Sequence, residues 1–167
     1  MKYKIADLTV EYNAKYEMTQ KRSEKYKIKE NKKADISINI SDEKIEELEK
    51  KHEINTLETS EYMLIGTYFY RKLLSYNGCM LHSSAVVINN EAYLFSADPG
   101  TGKSTHTSLW LKHLAEKNPY IINDDKPAIR IMEDGIYCYG TPFSGKYDIN
   151  ENKKAKIKAI CFIEQSK

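Results

Sequence analysis

Residues 97–104, Ala-Asp-Pro-Gly-Thr-Gly-Lys-Ser, come within one residue of the spacing G-x-x-x-x-G-K-[ST]. Loops of that spacing hold phosphate through backbone. Successive N–H groups curl around the anion, and the helix that follows presents its positive end. Gly100 and Gly102 suit the curl because glycine accepts positive φ. Ala97 replaces the first glycine of the pattern, a position at a strand's end that alanine tolerates if φ stays negative. Asp98, Pro99, Gly100, Thr101, Gly102, Lys103, Ser104 and Thr105 are the expected phosphate-wrapping residues, with Lys103 on the outer phosphates and Ser104 on Mg²⁺. A G-K-S triplet alone is weak evidence. An apolar strand pattern before it and a helix pattern after it supply the context that the motif requires.

Three further stretches carry matching chemistry. In "YIINDD" (120–125) an apolar strand delivers two carboxylates at its end. Asp124 or Asp125 would hold Mg²⁺, and the other would accept a proton from an attacking hydroxyl. We expect Asp125 as the metal ligand and Asp124 as the base, although residue type does not order them; a plain turn before Lys126-Pro127 would also explain two aspartates. "YGTPFSGK" (139–146) has the glycines and hydroxyls of a loop that folds over phosphate, with Lys146 to neutralise charge on the transferred group, or it is a simple connector. His82, in "LHSSAVVI", suits a phosphate-sensing role as well as a packed core position.

The elements that must position these residues are legible as patterns. Residues 4–12 and 34–40 alternate as strands, whereas 13–33 show no clean period. Helices are expected over 42–52 and 56–76, the second stopped by Asn77-Gly78. Strands follow at 79–88 and 91–97, joined by an Asn89-Asn90 turn, then a helix over 103–116 and a short strand at 120–124. A hairpin turns at Glu133-Asp134-Gly135, and a last strand spans 157–163. A boundary is expected near residue 77, dividing a β-α segment (1–76) from a core (77–167) that holds all the candidate residues.

Bulk properties exclude several classes. A net charge of +2 is too mild for a protein whose main partner is nucleic acid. The basic runs 21–33 and 152–158 read as solvated faces. Cys79, Cys138 and Cys161 have neither disulfide-framework nor zinc spacing, and no apolar run suits a membrane span or a signal core. The expected setting is therefore reducing and cytoplasmic, with no nucleic-acid or membrane partner. The thirteen tyrosines read as amphipathic packing.

In this order, "LHSSAVVI", "FSADPGTGKST", "INDDKPA" and "YGTPFSGK" resemble the catalytic domain of HPr kinase/phosphorylase and its relatives. The likeness is nearest to the smaller HPr-kinase-like proteins and covers roughly residues 60–165. The family shares its P-loop fold with ATP-dependent phosphoenolpyruvate carboxykinase. The resemblance implies an α/β P-loop kinase core with a mixed sheet, preceded here by a small N-terminal β-α segment. It also implies further helices beyond "KAICFIEQ", so this core reads as C-terminally short. ATP and Mg²⁺ are the implied cofactors. The implied reaction is phosphoryl transfer to a serine-type hydroxyl on a protein, peptide or small molecule, in an enzyme that tends to form homo-oligomers. His82 matches the histidine beside the family's phosphate site, and Asp124 and Asp125 match its acidic pair. The alternative is an ATP-binding regulatory module without turnover. Carboxykinase chemistry lacks the residues for a second metal site.

Overall fold

The structure is a computed structural model, and it describes residues 1–29, 32–51 and 56–165. His52, at the end of the first expected helix, lies outside the described residues, as do two positions of the basic run 21–33. The chain is a mixed α/β structure with two sheets and, among the described residues, four α-helices.

Strands β1 (Lys2–Ile5) and β2 (Leu8–Glu11) form a hairpin rather than the single strand expected over 4–12. Ala6 and Asp7 both adopt left-handed backbone, φ 51° and 62°, which closes a two-residue turn of the kind usually made by Asn-Gly. Helix α1 (Glu17–Ser23) lies in the segment that shows no period, and β3 (Ile36–Ser37) is only two residues of the strand expected at 34–40. Helices α2 (Asp42–Lys51) and α3 (Leu57–Leu73) follow. Thr56 and Thr59 cap α3 reciprocally, and Asn77 in left-handed backbone ends the 3-10 turn that prolongs it.

The larger sheet comprises β4 (Gly78–Met80), β5 (Ser83–Ile88), β6 (Glu91–Ser96), β7 (Tyr120–Asp125), β8 (Ala128–Met132), β9 (Gly135–Tyr139) and β10 (Lys154–Phe162), in the order β4-β8-β9-β10-β6-β5-β7. The strand expected at 79–88 is therefore two strands: β4 pairs with β8, while β5 lies at the other side of the sheet between β6 and β7. The turn at Asn89-Asn90 is borne out, with both residues at positive φ. Helix α4 (Lys103–His113) follows β6 and packs on β5, β6 and β7.

Register decides where the chemistry falls. Ser96, at the end of β6, pairs with Ser83, and Ser83 pairs with Asp125. In the adjacent row Phe95 pairs with Ser84, and Ser84 with Asp124. Two strand spacings, roughly 10 Å, thus separate the start of the Gly-rich turn from the acid pair, at one end of one sheet. The sheet curls, so that the return from β9 to β10 runs beside β7: Glu151 N–H donates to Ile122 O at 3.0 Å and Asp124 N–H to Ile149 O at 3.0 Å.

One core cluster joins Val10, Tyr12, Tyr26, Ile65 and Phe69 with Ala128, Tyr139 and Phe143, so residues on both sides of position 77 share it. A second, of Ala85, Val87, Leu94, Ile122 and Cys138, fills the inside of the curled sheet. The tyrosines pack as expected. Tyr12 and Tyr26 are fully buried, their hydroxyls 2.6 Å from Ser23 Oγ and Asn150 Oδ1. Burial pushes both phenols well above their ordinary range and pushes Tyr62 up to about 12. A raised folded-state value favours the neutral phenol, so this contribution to stability is complete below the unfolded value of about 10 and is lost as pH rises through the folded values. Unfolding followed by circular dichroism should therefore set in above about pH 10, with the tyrosinate absorbance of the buried phenols appearing together with unfolding. Tyrosinate forming on these residues before any loss of structure would contradict the packing.

Among the described residues no helix is long and apolar enough to cross a membrane.

Candidate active site

The Gly-rich turn begins where β6 ends. Ala97 is not among the residues at positive φ, so the missing glycine is not required by backbone conformation there. Gly100 and Gly102 are left-handed, φ 83° and 106°, and a Cβ on either would meet nothing within 4 Å. Open space therefore stands before the turn. Gly102 is the N-cap of α4 and no side chain caps the helix, which leaves its first N–H groups directed toward that space. Lys103 does not extend outward. Its ammonium donates to Ala97 O at 2.9 Å and Asp98 O at 3.2 Å, bracing the turn from within. Asp98, Pro99, Gly100, Ser104 and Thr105 are exposed; Thr101 and Gly102 are half-buried. Beside this turn lies a cleft of about 620 Å³ lined by Gly100, Thr105, His106, Leu109, Ile163 and Gln165.

Strand alternation sends the two acids to opposite faces. Asp124 shares the face of Ser84 and Phe95, which α4 covers. Ser84 Oγ donates to Asp124 Oδ1 at 2.5 Å and lies 2.7 Å from Thr107 Oγ1, which is itself 3.1 Å from Ser104 O. With the Ser84 proton committed to the carboxylate, the Thr107 hydroxyl supplies the proton of the Ser84–Thr107 bond. Both hydroxyl residues are buried. The Ser84 bond therefore links Thr107 of α4 to Asp124.

Asp125 faces the other side. His82 Nε2 lies 3.1 Å from its Oδ1, and the Lys126 ammonium donates to its Oδ2. The buried Asn123 side chain sets this corner: Oδ1 accepts from Lys126 N–H at 2.8 Å, and Nδ2 donates to Thr141 O at 3.2 Å. The loop after β9 then closes on the acids. A Cβ on Gly145 would stand 3.1 Å from Asp125 Cβ and 3.2 Å from Asp124 O. Tyr62 OH donates to Ser144 O at 2.9 Å, and Tyr70 lies 2.9 Å from Thr141 Oγ1. Lys146 is exposed at the rim, 5.7 Å from the Tyr147 ring. It shares a cleft of about 370 Å³ with Asp125, Lys126, Tyr62, Met63 and Arg22.

Arg22 is the site residue missed from sequence. It sits in a basic run read as a solvated face, yet only 15% of its side chain is exposed. Its guanidinium donates to three successive carbonyls, Ser144 at 2.8 Å, Gly145 at 3.1 Å and Lys146 at 3.3 Å, and stacks 4.7 Å from the Tyr62 ring. A planar donor fork suits this arrangement and a lysine would not reproduce it. Helix α1 is placed for the task by Glu61, buried on α3, whose carboxylate accepts from Lys15 N–H at 2.6 Å and Tyr16 N–H at 3.2 Å. No local pattern in 13–33 signals either contact, because both are made to residues far along the chain.

The structure thus gathers Ser104, Lys103, Asp124, Asp125, His82 and Lys146 at one end of the sheet, on both of its faces. Among the described residues no group of three or more His, Cys, Asp or Glu assembles at one point. Mg²⁺ needs no such group, since it is commonly held by one or two carboxylates and completed by substrate phosphates and water. No protein-family model matches the chain, and no curated protein matches it.

Proposed function

We propose that the chain is an ATP- and Mg²⁺-dependent phosphotransferase with a P-loop kinase core, acting on a serine-type hydroxyl. The observation that carries this is the pair of hydroxyls, Thr107 on α4 and Ser84 on β5, that links the helix after the Gly-rich turn to Asp124, with Asp125 and His82 on the opposite face. The sequence resemblance to HPr-kinase-like proteins supports the same reading.

The residues fit the groups. An uncapped helix start and two left-handed glycines facing open space suit a polyphosphate. Asp124 and Ser104 stand on the α4 side and would hold Mg²⁺ there, which supplies charge neutralisation across the outer phosphates when bound. The geometry favours this over the opposite order expected from sequence, because Asp125 faces the second cleft instead. Asp125 is then the base. His82 orients Oδ1, and Lys126 occupies Oδ2 where the acceptor hydroxyl would approach. In transfer the acceptor O–H bond breaks, its proton passes to Asp125, a new O–P bond forms and the bond from the γ-phosphorus to the leaving ADP oxygen breaks. Lys103, released from Ala97 O and Asp98 O, and Lys146 at the rim offset the charge on the moving phosphoryl group. The loop held by Arg22 excludes water from Asp125.

Labelled-phosphate transfer from Mg·ATP to a panel of free serine and serine peptides tests the reading. The chain should label at least one acceptor, and Lys103→Ala should lower the rate by about 10²–10³-fold. ATP binding with no transfer to any acceptor would instead favour a regulatory module.

A further inference from the structure

The acceptor cleft continues into a second cavity. The two share Tyr62, Met63 and Lys126, and the second, about 390 Å³, runs on along α3 to Leu74 and Met80. Tyr62, Gly66, Tyr70 and Leu74 lie four residues apart and so form one ridge of the helix and its 3-10 extension. Twelve residues at 1.5 Å make the groove roughly 18 Å long, the reach of about five residues of extended chain. Phe143 forms its floor. The ring comes that close because residue 66 is glycine: a Cβ there would stand 3.1 Å from the ring. The wall is rigid at the Asp125 end, where Tyr62 is bonded to Pro142 O and Ser144 O. Toward the other end it offers Met63, Leu74 and Met80, which are 48%, 65% and 40% exposed. Arg71 lines the same groove and gives its rim positive charge, while the Lys126 ammonium is paired with Asp125.

We propose that the acceptor hydroxyl is presented on an extended peptide segment, with a large apolar side chain two to five residues from the serine seated against Phe143 and the methionines, and an acidic residue facing Arg71. The proposal rests on the phosphotransferase reading of the Asp125 cleft and names its substrate class. Free serine would fill only the Asp125 end and leave the groove unused. Methionines suit apolar side chains of varying shape, so Leu and Phe should both be accepted.

Short labelled peptides with one serine and one aspartate, carrying Leu, Phe or Ala at the flanking position, test it in two arms. Anisotropy measures binding, and labelled phosphate from Mg·ATP measures transfer. The Leu and Phe peptides should bind about tenfold tighter than the Ala peptide and be phosphorylated with correspondingly higher kcat/KM; one buried side chain of this size is worth that much. Leu74→Glu, at an exposed position, should remove the preference while leaving the melting temperature and peptide-independent ATP hydrolysis unchanged; Leu74→Ala should remove part of it. Equal binding of all three peptides, free serine as the best acceptor, or self-association of the chain that Leu74→Glu abolishes would each overturn the proposal. Apolar preference in binding with no transfer to any acceptor would overturn the acceptor role and the phosphotransferase reading together. Transfer without apolar preference would overturn the groove alone.

Discussion

Replacing Asp125 by Asn should lower phosphoryl transfer about 10³-fold while leaving Mg·ATP affinity within a few-fold of the parent, the effect of deleting a general base. Asp124→Asn should do the reverse in binding: Mg²⁺-dependent ATP affinity falls about tenfold or more, because the carboxylate on the α4 side is the one linked through Ser84 to Thr107 of that helix. The contrast follows from strand alternation. Asp124 is bonded to Ser84, beneath α4, whereas Asp125 is bonded to His82 and Lys126 in the cleft that also holds Lys146. Asparagine keeps the shape of each side chain, so folding is preserved. Swapped phenotypes, with Asp125→Asn losing Mg²⁺ dependence, would restore the order expected from sequence.

Gly140→Ala should destabilise the fold severely. A Cβ there would overlap the carbonyl oxygen of Glu151 and stand 2.7 Å from that of Ile122, and both belong to backbone. Those carbonyls are pinned where the returning 140–153 segment lies along β7, so neither can retreat without breaking the curl of the sheet. The expected cost is about 4 kcal/mol or more, a large share of the roughly 5–15 kcal/mol that stabilises a typical domain. A soluble Gly140→Ala protein with the parent melting temperature would show that this crossing is looser than described.

The parts of the site legible in sequence are those whose signal is local. Gly100 and Gly102 ahead of a helix, Asn77 and Asn89-Asn90 in left-handed turns, and acids ending an apolar strand each announce themselves by residue type. The hairpin at Ala6-Asp7 does not, because Ala6 is an unusual left-handed residue and Asp7 beside it is not followed by glycine. The break at Leu81-His82 carries no Gly, Pro, Asn or Asp to announce it, although it sends β4 and β5 to opposite sides of the sheet. The opposed faces of Asp124 and Asp125 follow from a period of two, but which face α4 covers depends on the fold. Arg22 and Glu61 are the least legible. Each looks like ordinary helix-surface charge, and each acts on residues remote in sequence: Glu61 on Lys15 and Tyr16, Arg22 on 144–146.

The most direct test of the single-site reading is a double-mutant cycle on Mg·ATP binding, followed by calorimetry, with Lys103→Ala, Asp124→Asn and the pair. If the turn at 98–105 and the acid on β7 hold one magnesium-bound triphosphate, the two losses should be coupled by about 1–2 kcal/mol and the double variant should bind more tightly than the sum of losses predicts. Full ATP affinity in either single variant would mean that the turn and the acid serve no common ligand.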